Sequence, residues 1–144
     1  MKMNETDISN PSMFKLGVPF PEAFNEHFSG QAYISQLLTT DVSIHNMTFS
    51  PACRTSWHVH HNYRQILLIT GGRGWYQEWG KVPQALKPGD YVNIEPGVKH
   101  WHGAASDCWF SHLTVENHNE DARLEWFEPV TDVYFFKVEI MHVE

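Results

Sequence analysis

The sequence predicts an all-β fold, a single antiparallel β-barrel of the jelly-roll type. Segments of alternating apolar and polar residues recur at intervals of about 8–12 residues along most of the chain. Gly and Pro separate these segments, and no long helical pattern lies between them, which argues against parallel βαβ units. A length of 144 residues fits one such domain and leaves little room for a second.

The two ends of the chain are predicted to lie outside the barrel. Residues 1–27 form a predicted N-terminal arm, in which 1–12 are irregular and 22–27 make a short helical turn. The barrel is predicted to occupy residues 28–130, and residues 131–144 form a C-terminal extension. Within this extension Thr131 is placed to cap a helix that runs to Val138.

Short strands account for the rest of the chain. Alternation places His45, Met47 and Phe49 on one face of their strand. Turns are predicted where Gly and Pro cluster, at Gly71–Gly74, Lys87–Asp90 and Glu95–Gly97. The predicted strands are Ala32–Leu38, Val42–Phe49, Trp57–His60, Gln65–Thr70, Trp75–Trp79, Gln84–Leu86, Tyr91–Ile94, His100–Ala104 and Cys108–Glu116.

Composition argues against several classes of function. The formal net charge of −7 gives no basic surface for nucleic acid or for an anionic membrane. No apolar run approaches the roughly 20 residues that span a bilayer, and the polar N-terminus does not read as a signal peptide. We therefore expect a cytoplasmic protein. Cys53 and Cys108 fit that expectation as reduced thiols, although a disulfide between them stays open.

Histidine is unusually frequent, with 10 residues, as many as Lys and Arg together. His58 and His60 stand two apart on a predicted strand, so both imidazoles point to the same side. Gln65 begins the next strand and His100 follows a Pro-Gly turn, so these residues can add an amide oxygen and a third imidazole. His58, His60, Gln65 and His100 are therefore candidate ligands of one divalent transition-metal ion.

This arrangement resembles the two sequence motifs of the cupin superfamily. The first motif reads His-Val-His at 58–60, then Gln65 after four residues, then Gly72 after six more. The second reads Gly-Asp at 89–90 and Pro-Gly-Val-Lys-His at 96–100. First motifs in the family usually carry Glu where this chain has Gln65. The resemblance runs from about residue 28 to residue 129.

The resemblance is greatest to a group of small, single-domain bacterial cupins. Its hallmarks are FSPACRTSWHVH at 49–60, KHWHGA at 99–104 and WFSHL at 109–113. Some members of this group are hydroxynitrile lyases, and others accompany carboxymuconolactone decarboxylase-like domains. Many members have one residue fewer between His60 and Gln65, so the loop is longer here and Gln65 is the least secure of the four candidate ligands.

The resemblance implies a cupin jelly roll that holds one divalent ion, which is Mn, Zn, Ni or Fe. Its lyase-type members imply a metal-dependent enzyme on a small polar molecule, whose oxygen binds the ion while His112 acts as the general base. Because Gln65 is neutral, the site keeps a charge near +2, and bound hydroxyls or water become more acidic. The implied substrate-pocket residues are His45, Met47, Thr55, His102 and Glu116.

Several alternatives stay open at this point. His102 stands two residues after His100 on the same predicted strand, so both side chains point to the same side. His102 is expected to play a structural role beside the ligands. His112 can instead be a buried, hydrogen-bonded core residue. The chemistry can be that of a dioxygenase or an isomerase, or the protein can be a non-catalytic small-molecule or metal-binding sensor. Small cupins commonly form dimers or tetramers, to which the apolar residues 133–141 can contribute, so we expect a homo-oligomer.

Overall fold

Two β-sheets form the body of the computed structural model, which describes residues 8–142. The predicted all-β, antiparallel fold is confirmed. Residues 1–7 and 143–144 lie outside the described range, so the predicted domain boundaries stay predictions. The strands are β1 (Val18–Pro19), β2 (Phe28–Ser29), β3 (Ala32–Thr39), β4 (Val42–Phe49), β5 (Arg54–Thr55), β6 (His58–His61), β7 (Gln65–Gly72), β8 (Gly74–Glu78), β9 (Gln84–Leu86), β10 (Tyr91–Ile94), β11 (His100–Ala104), β12 (Phe110–Asn117) and β13 (Arg123–Trp126).

The first sheet has the strand order β1-β3-β4-β12-β7-β10. Its middle strand, β12, pairs antiparallel with β4 on one side and with β7 on the other. The register places Glu116 of β12 opposite Gln65 of β7, and His112 opposite Met47 of β4. Since side chains alternate along a strand, His112 and Glu116 share the face predicted for them.

The second sheet has the strand order β13-β6-β11-β5-β2, and β8 pairs with both β11 and β9. In this sheet His100 of β11 lies directly opposite His58 of β6. The short strands β5 and β13 were not predicted, and the two residues of β5 are too few to show alternation. They nevertheless flank the histidine-bearing strands β11 and β6.

The prediction of a turn at Gly71–Gly74 is wrong. The chain passes from β7 in the first sheet to β8 in the second across the single residue Arg73. Gly72 has φ of +70°, and the Trp109 carbonyl occupies the place of a side chain at this position. The glycines there permit a bend between sheets and a close backbone approach, not a hairpin. The turns at Lys87–Asp90 and Glu95–Gly97 are confirmed.

An apolar cluster fills part of the space between the sheets. Phe49, Leu67, Ile94 and Phe110 are completely buried in it. Burying each such side chain contributes about 1.5–3 kcal/mol. Five histidines are buried beside this cluster, namely His58, His60, His100, His102 and His112. The interior therefore contains both a hydrophobic core and a group of imidazoles.

The C-terminal helix α1 covers Asp132–Met141, three residues longer than predicted, and the predicted cap is confirmed. The Thr131 hydroxyl oxygen accepts a hydrogen bond from the Tyr134 backbone N–H at 3.2 Å. Phe135 and Val138 bury one side of the helix in a second apolar cluster that includes Trp57, Trp75 and Trp101. No helix in the described range is long and apolar enough to cross a bilayer.

The N-terminal part packs onto the first sheet. The predicted helical turn is confirmed as a 3-10 helix over Glu22–His27. The Ser12 hydroxyl donates to the Asn46 side-chain oxygen at 3.0 Å, which fixes the segment before β1. Cys53 and Cys108 are both free thiols, in line with the expectation of reduced cysteines.

Candidate metal centre

Backbone pairing brings the histidines of distant segments together. The opposed pair of His58 and His100 joins β6 to β11, and their ring centroids are 4.1 Å apart. The Gly97 backbone N–H donates to the His60 carbonyl at 2.8 Å, which ties the turn before β11 to β6. The Pro-Gly turn of the second motif therefore determines where His100 meets the His-x-His pair.

Three imidazoles lie close enough to hold one metal ion. The ligand nitrogens of His58, His100 and His102 all lie within 4.8 Å of one another, and all three residues are buried. His102 was expected to have a structural role, yet its nitrogen belongs to this group. The signal in the sequence was its position two residues after His100 on the same strand, which puts both side chains on one face.

The predicted ligand His60 lies in the same region, and the predicted ligand Gln65 begins the next strand, β7. The ring centroid of His60 is 4.9 Å from that of His100 and 5.1 Å from that of His58. His60 Nδ1 and Gln65 Oε1 are buried and have no hydrogen-bond partner in the described chain. Because buried polar atoms normally find a partner, these two atoms fit a ligand that the protein itself does not supply. The set of His58, His60, Gln65 and His100 stays a prediction.

Two of the rings are oriented by backbone carbonyls. His58 Nδ1 lies 2.9 Å from the Ser56 carbonyl oxygen, and His100 Nδ1 lies 2.9 Å from that of Val98. A carbonyl can only accept, so each ring carries its proton on Nδ1 and presents a free lone pair on Nε2. His100 Nε2 is buried without a partner. Such anchoring is typical of metal-binding histidines.

The buried imidazoles are neutral. Burial lowers the pKa of His60 and of His100 to about 3, and the neighbouring imidazoles add to the effect. Burial likewise holds the pKa values of His58 and His102 well below the usual range. Metal binding requires deprotonated ligands, so these rings are ready for an ion without a prior loss of protons.

His112 lies on the other side of His102, with their ring centroids 5.1 Å apart. Its Nδ1 is 3.0 Å from the Thr114 hydroxyl oxygen, while its Nε2 is buried and has no hydrogen-bond partner among the described residues. Burial, followed by the charge of His45, lowers the pKa of His112 to about 3. The residue is therefore a neutral imidazole with one anchored and one available nitrogen.

The predicted pocket residues surround this group on several strands. Met47 and Thr55 are buried, and the Thr55 hydroxyl accepts from the His102 backbone N–H at 3.3 Å. Burial lowers the pKa of His45 to about 4. Burial also raises the pKa of Glu116, whose Oε2 accepts from Gln65 Nε2 at 3.1 Å.

Sequence reasoning missed two aromatic residues beside the histidines. The Tyr63 ring stacks on His60, with centroids 4.7 Å apart and an interplanar angle of 29°. Trp126 of β13 lies opposite His58, with centroids 4.9 Å apart, and it also stacks on His27, with centroids 4.2 Å apart. The extra residue in the His61–Arg64 loop was a signal for Tyr63, whereas nothing in the local pattern identified Trp126.

Comparisons with known proteins agree with this architecture. A sequence profile of the cupin domain matches residues 45–116, half of the 144 residues. The (R)-mandelonitrile lyase of Granulicella tundricola is 41% identical over 87 residues, which cover 60% of this chain. The match spans 66% of that lyase, slightly less than two thirds of its length.

Solved structures extend the similarity beyond the barrel motifs. A cupin-like protein of Thermotoga maritima is 34% identical, with a TM-score of 0.80, over 88% of this chain and 96% of its own. A cupin-2 domain protein of Rhodospirillum rubrum shares the fold at 16% identity, with a TM-score of 0.69, over 96% of this chain and 93% of its own. The motifs, the two-sheet barrel and these matches together show that the chain belongs to the cupin domain family.

Proposed function

We propose that this protein is a metal-dependent lyase that breaks a carbon–carbon bond in a small hydroxyl-bearing molecule, with a cyanohydrin as the substrate class. The observation that carries the proposal is His112, a neutral buried imidazole whose Nε2 has no partner beside a cluster of four other buried imidazoles. A free ring nitrogen next to a candidate metal centre is placed to take up a proton.

The proposed ligands are His58, His60, Gln65 and His100. Their fit to a metal is supported by the unpartnered His60 Nδ1, Gln65 Oε1 and His100 Nε2, and by the backbone anchors of His58 and His100. When bound, a divalent ion supplies positive charge that makes a neighbouring hydroxyl group more acidic. The proposed ion is Mn, Zn, Ni or Fe.

His112 performs the proton transfers in this proposal. Its Nε2 accepts the proton of the cyanohydrin hydroxyl, and a carbonyl forms as the carbon–carbon bond breaks. The electron pair of that bond leaves with cyanide, which then takes the proton from the His112 imidazolium, so the products are an aldehyde and hydrogen cyanide. Thr114 holds the other ring nitrogen at 3.0 Å and keeps the ring in position.

The test is turnover of mandelonitrile by purified, metal-loaded protein, followed as release of benzaldehyde. We expect His112→Ala to lower the rate by about 100-fold or more at unchanged metal content, as for the loss of a general base. The matched control is His61→Ala, since His61 ends β6 outside the proposed ligand set and its Nε2 is bonded to Glu125 at 2.7 Å. Turnover by His112→Ala within threefold of the wild type would remove His112 from the mechanism.

We also propose that the chain forms a homo-oligomer through the outer face of α1. Val133, Ile140 and Met141 are 82%, 78% and 64% exposed there, although the opposite face of the helix is already buried on the barrel. A helix that is apolar on both faces is typical of a buried position. A second copy that packs its own α1 against this face would cover it with the same residues on both sides.

Sedimentation velocity tests this proposal. We expect the wild type to sediment as a dimer or tetramer and the double variant Val133→Glu/Ile140→Glu as a smaller species. A wild type that remains monomeric at concentrations up to about 100 μM would refute it, since that corresponds to an affinity weaker than about 5 kcal/mol.

The free thiols Cys53 and Cys108 support a reducing compartment, and we propose the cytoplasm. Fractionation of cells that produce the natural protein tests this location.

A further inference from the structure

We propose that Glu116 is a positioning residue for the metal centre, because it fixes the Gln65 amide with the side-chain oxygen free for the ion. This inference rests on the proposed metal site. Glu116 and Gln65 lie directly opposite each other on β12 and β7. Gln65 Nε2 donates to Glu116 Oε2 at 3.1 Å.

The hydrogen bond determines which way the amide is turned. The Gln65 amide turns its NH₂ group toward Glu116, because Nε2 donates to the carboxyl oxygen Oε2 and a carbonyl oxygen in its place could not donate. Gln65 Oε1 is then on the far side of the amide, where it is buried and has no donor in the described chain. Leaving such an oxygen unpaired is unfavourable, and a cation offsets that cost.

The hydrogen bonds of the other proposed ligands do not involve a carboxyl group that fixes the orientation of the ligand. His58 and His100 are anchored by backbone carbonyls, and Glu116 is the one carboxylate of the described chain that bonds to a proposed ligand. An imidazole presents a lone pair once its proton is placed, but an amide can flip and present its NH₂ group, which cannot bind a cation. Gln65 therefore needs a fixed partner more than the histidines do.

The arrangement also accounts for the neutral ligand at a position where the family usually has Glu. The carboxyl group of Glu116 lies behind this neutral ligand and acts through the amide of Gln65, not by direct contact with the ion. Partners of metal ligands often change metal affinity by about 10–100-fold when they are removed. The expected signature is therefore a change in metal binding that does not depend on any substrate.

The experiment measures Co²⁺ binding to the full-length protein by competition with a chromophoric chelator, together with the visible absorption of bound Co²⁺. We expect Glu116→Met, which keeps side-chain length but has no acceptor, to weaken binding by about tenfold or more and to change the spectrum. Glu116→Gln retains an oxygen acceptor, so it should restore a spectrum like that of the wild type and much of the affinity. Glu116→Ala is a second truncation, used if the Met variant does not fold.

The matched control is Glu125→Met. Glu125 accepts from His61 on a neighbouring strand but does not touch a proposed ligand, so Co²⁺ affinity should stay within twofold of the wild type. The inference is overturned if the Glu116 truncation binds Co²⁺ within twofold of the wild type with an unchanged spectrum. It is also overturned if Glu116→Gln is as impaired as Glu116→Met, since charge alone would then explain the effect.

These outcomes are independent of the lyase proposal. A wild type that binds Co²⁺ but does not turn over mandelonitrile refutes the proposed reaction and leaves the role of Glu116 testable by affinity. A Glu116 truncation with unchanged Co²⁺ binding refutes this inference, even where turnover is present.

Discussion

Arg54 brings a full positive charge into the interior at only 2% exposure. Its guanidinium donates to the Val130 carbonyl at 2.9 and 2.7 Å, to the Ala52 carbonyl at 3.0 Å and to Asp132 at 2.7 Å. The same group lies 4.5 Å from the centre of the Phe135 ring. The Arg54 side chain therefore links β5 to the start of α1. It also donates to backbone carbonyl groups that lie outside the strands and their pairing.

We expect Arg54→Met to lower the free energy of unfolding by about 2–4 kcal/mol, because buried carbonyl oxygens lose their donors. Urea unfolding of the metal-free protein measures this change. The control is Arg73→Met, whose exposed ion pair with Asp107 at 2.7 Å should contribute less than about 1 kcal/mol. Equal losses for the two variants would contradict the structural role of Arg54.

The segment 61–64 links β6 to β7 beside the candidate metal centre. Asn62 has φ of +67°, a left-handed conformation that Asn tolerates better than most residues. This bend lets the next residue, Tyr63, fold its ring back over His60. The loop therefore places an aromatic ring on a proposed ligand.

Removing this ring should make a bound ion easier to extract. We expect Tyr63→Ala to increase the rate at which a chelator removes Co²⁺ by about fivefold or more, since an aromatic cover over His60 is lost. Tyr91→Ala is the control, because Tyr91 is 73% exposed and lies on β10. Stopped-flow absorbance measures both rates, and equal rates would mean that Tyr63 does not restrict access.

At the scale of the whole molecule, the buried imidazoles link folding to pH. Burial lowers the pKa of His45 to about 4 and the pKa values of His60, His100 and His112 to about 3. In the unfolded chain these groups return to about 6.5. Below that pH the unfolded chain binds more protons than the folded one, so stability falls as the pH falls.

We therefore expect the metal-free protein to be clearly less stable at about pH 5.5 than at about pH 7.5. Each of these imidazoles can contribute up to about 1.4 kcal/mol per pH unit between its unfolded and folded pKa values. Urea unfolding across this range measures the slope. A stability that does not change between the two pH values would show that the imidazoles are protonated in the folded state.

Much of the barrel could be predicted because its longer strands alternate and end at Gly or Pro. Val42–Phe49 was predicted to the residue, and α1 was recognised from the cap at Thr131. The crossing at Arg73 could not be predicted, because Gly-rich sequence permits a hairpin turn and a bend between sheets equally well. Strands as short as Arg54–Thr55 are determined by their partners and not by their own pattern.

The candidate site was predictable to the extent that spacing fixes side-chain direction. His58 and His60 share a face by parity, and the structure brings His100 within 4.1 Å of His58, measured between ring centroids. The same spacing places the His102 side chain on the face of His100, but the family motif directed attention to His100 alone. The contacts of Tyr63 and Trp126 depend on tertiary packing between segments that are far apart in sequence, so local reasoning could not supply them.

The position of Trp126 allows metal binding at the proposed site to be followed by tryptophan fluorescence. Its indole contacts the rings of both His27 and His58, and His58 is a proposed ligand of the ion. Paramagnetic ions such as Ni²⁺ and Cu²⁺ quench the emission of a nearby indole, and the chain has six tryptophans in all. Subtracting the spectrum of Trp126→Phe would isolate this one fluorophore, which gives the protein an intrinsic optical reporter of its own metal content.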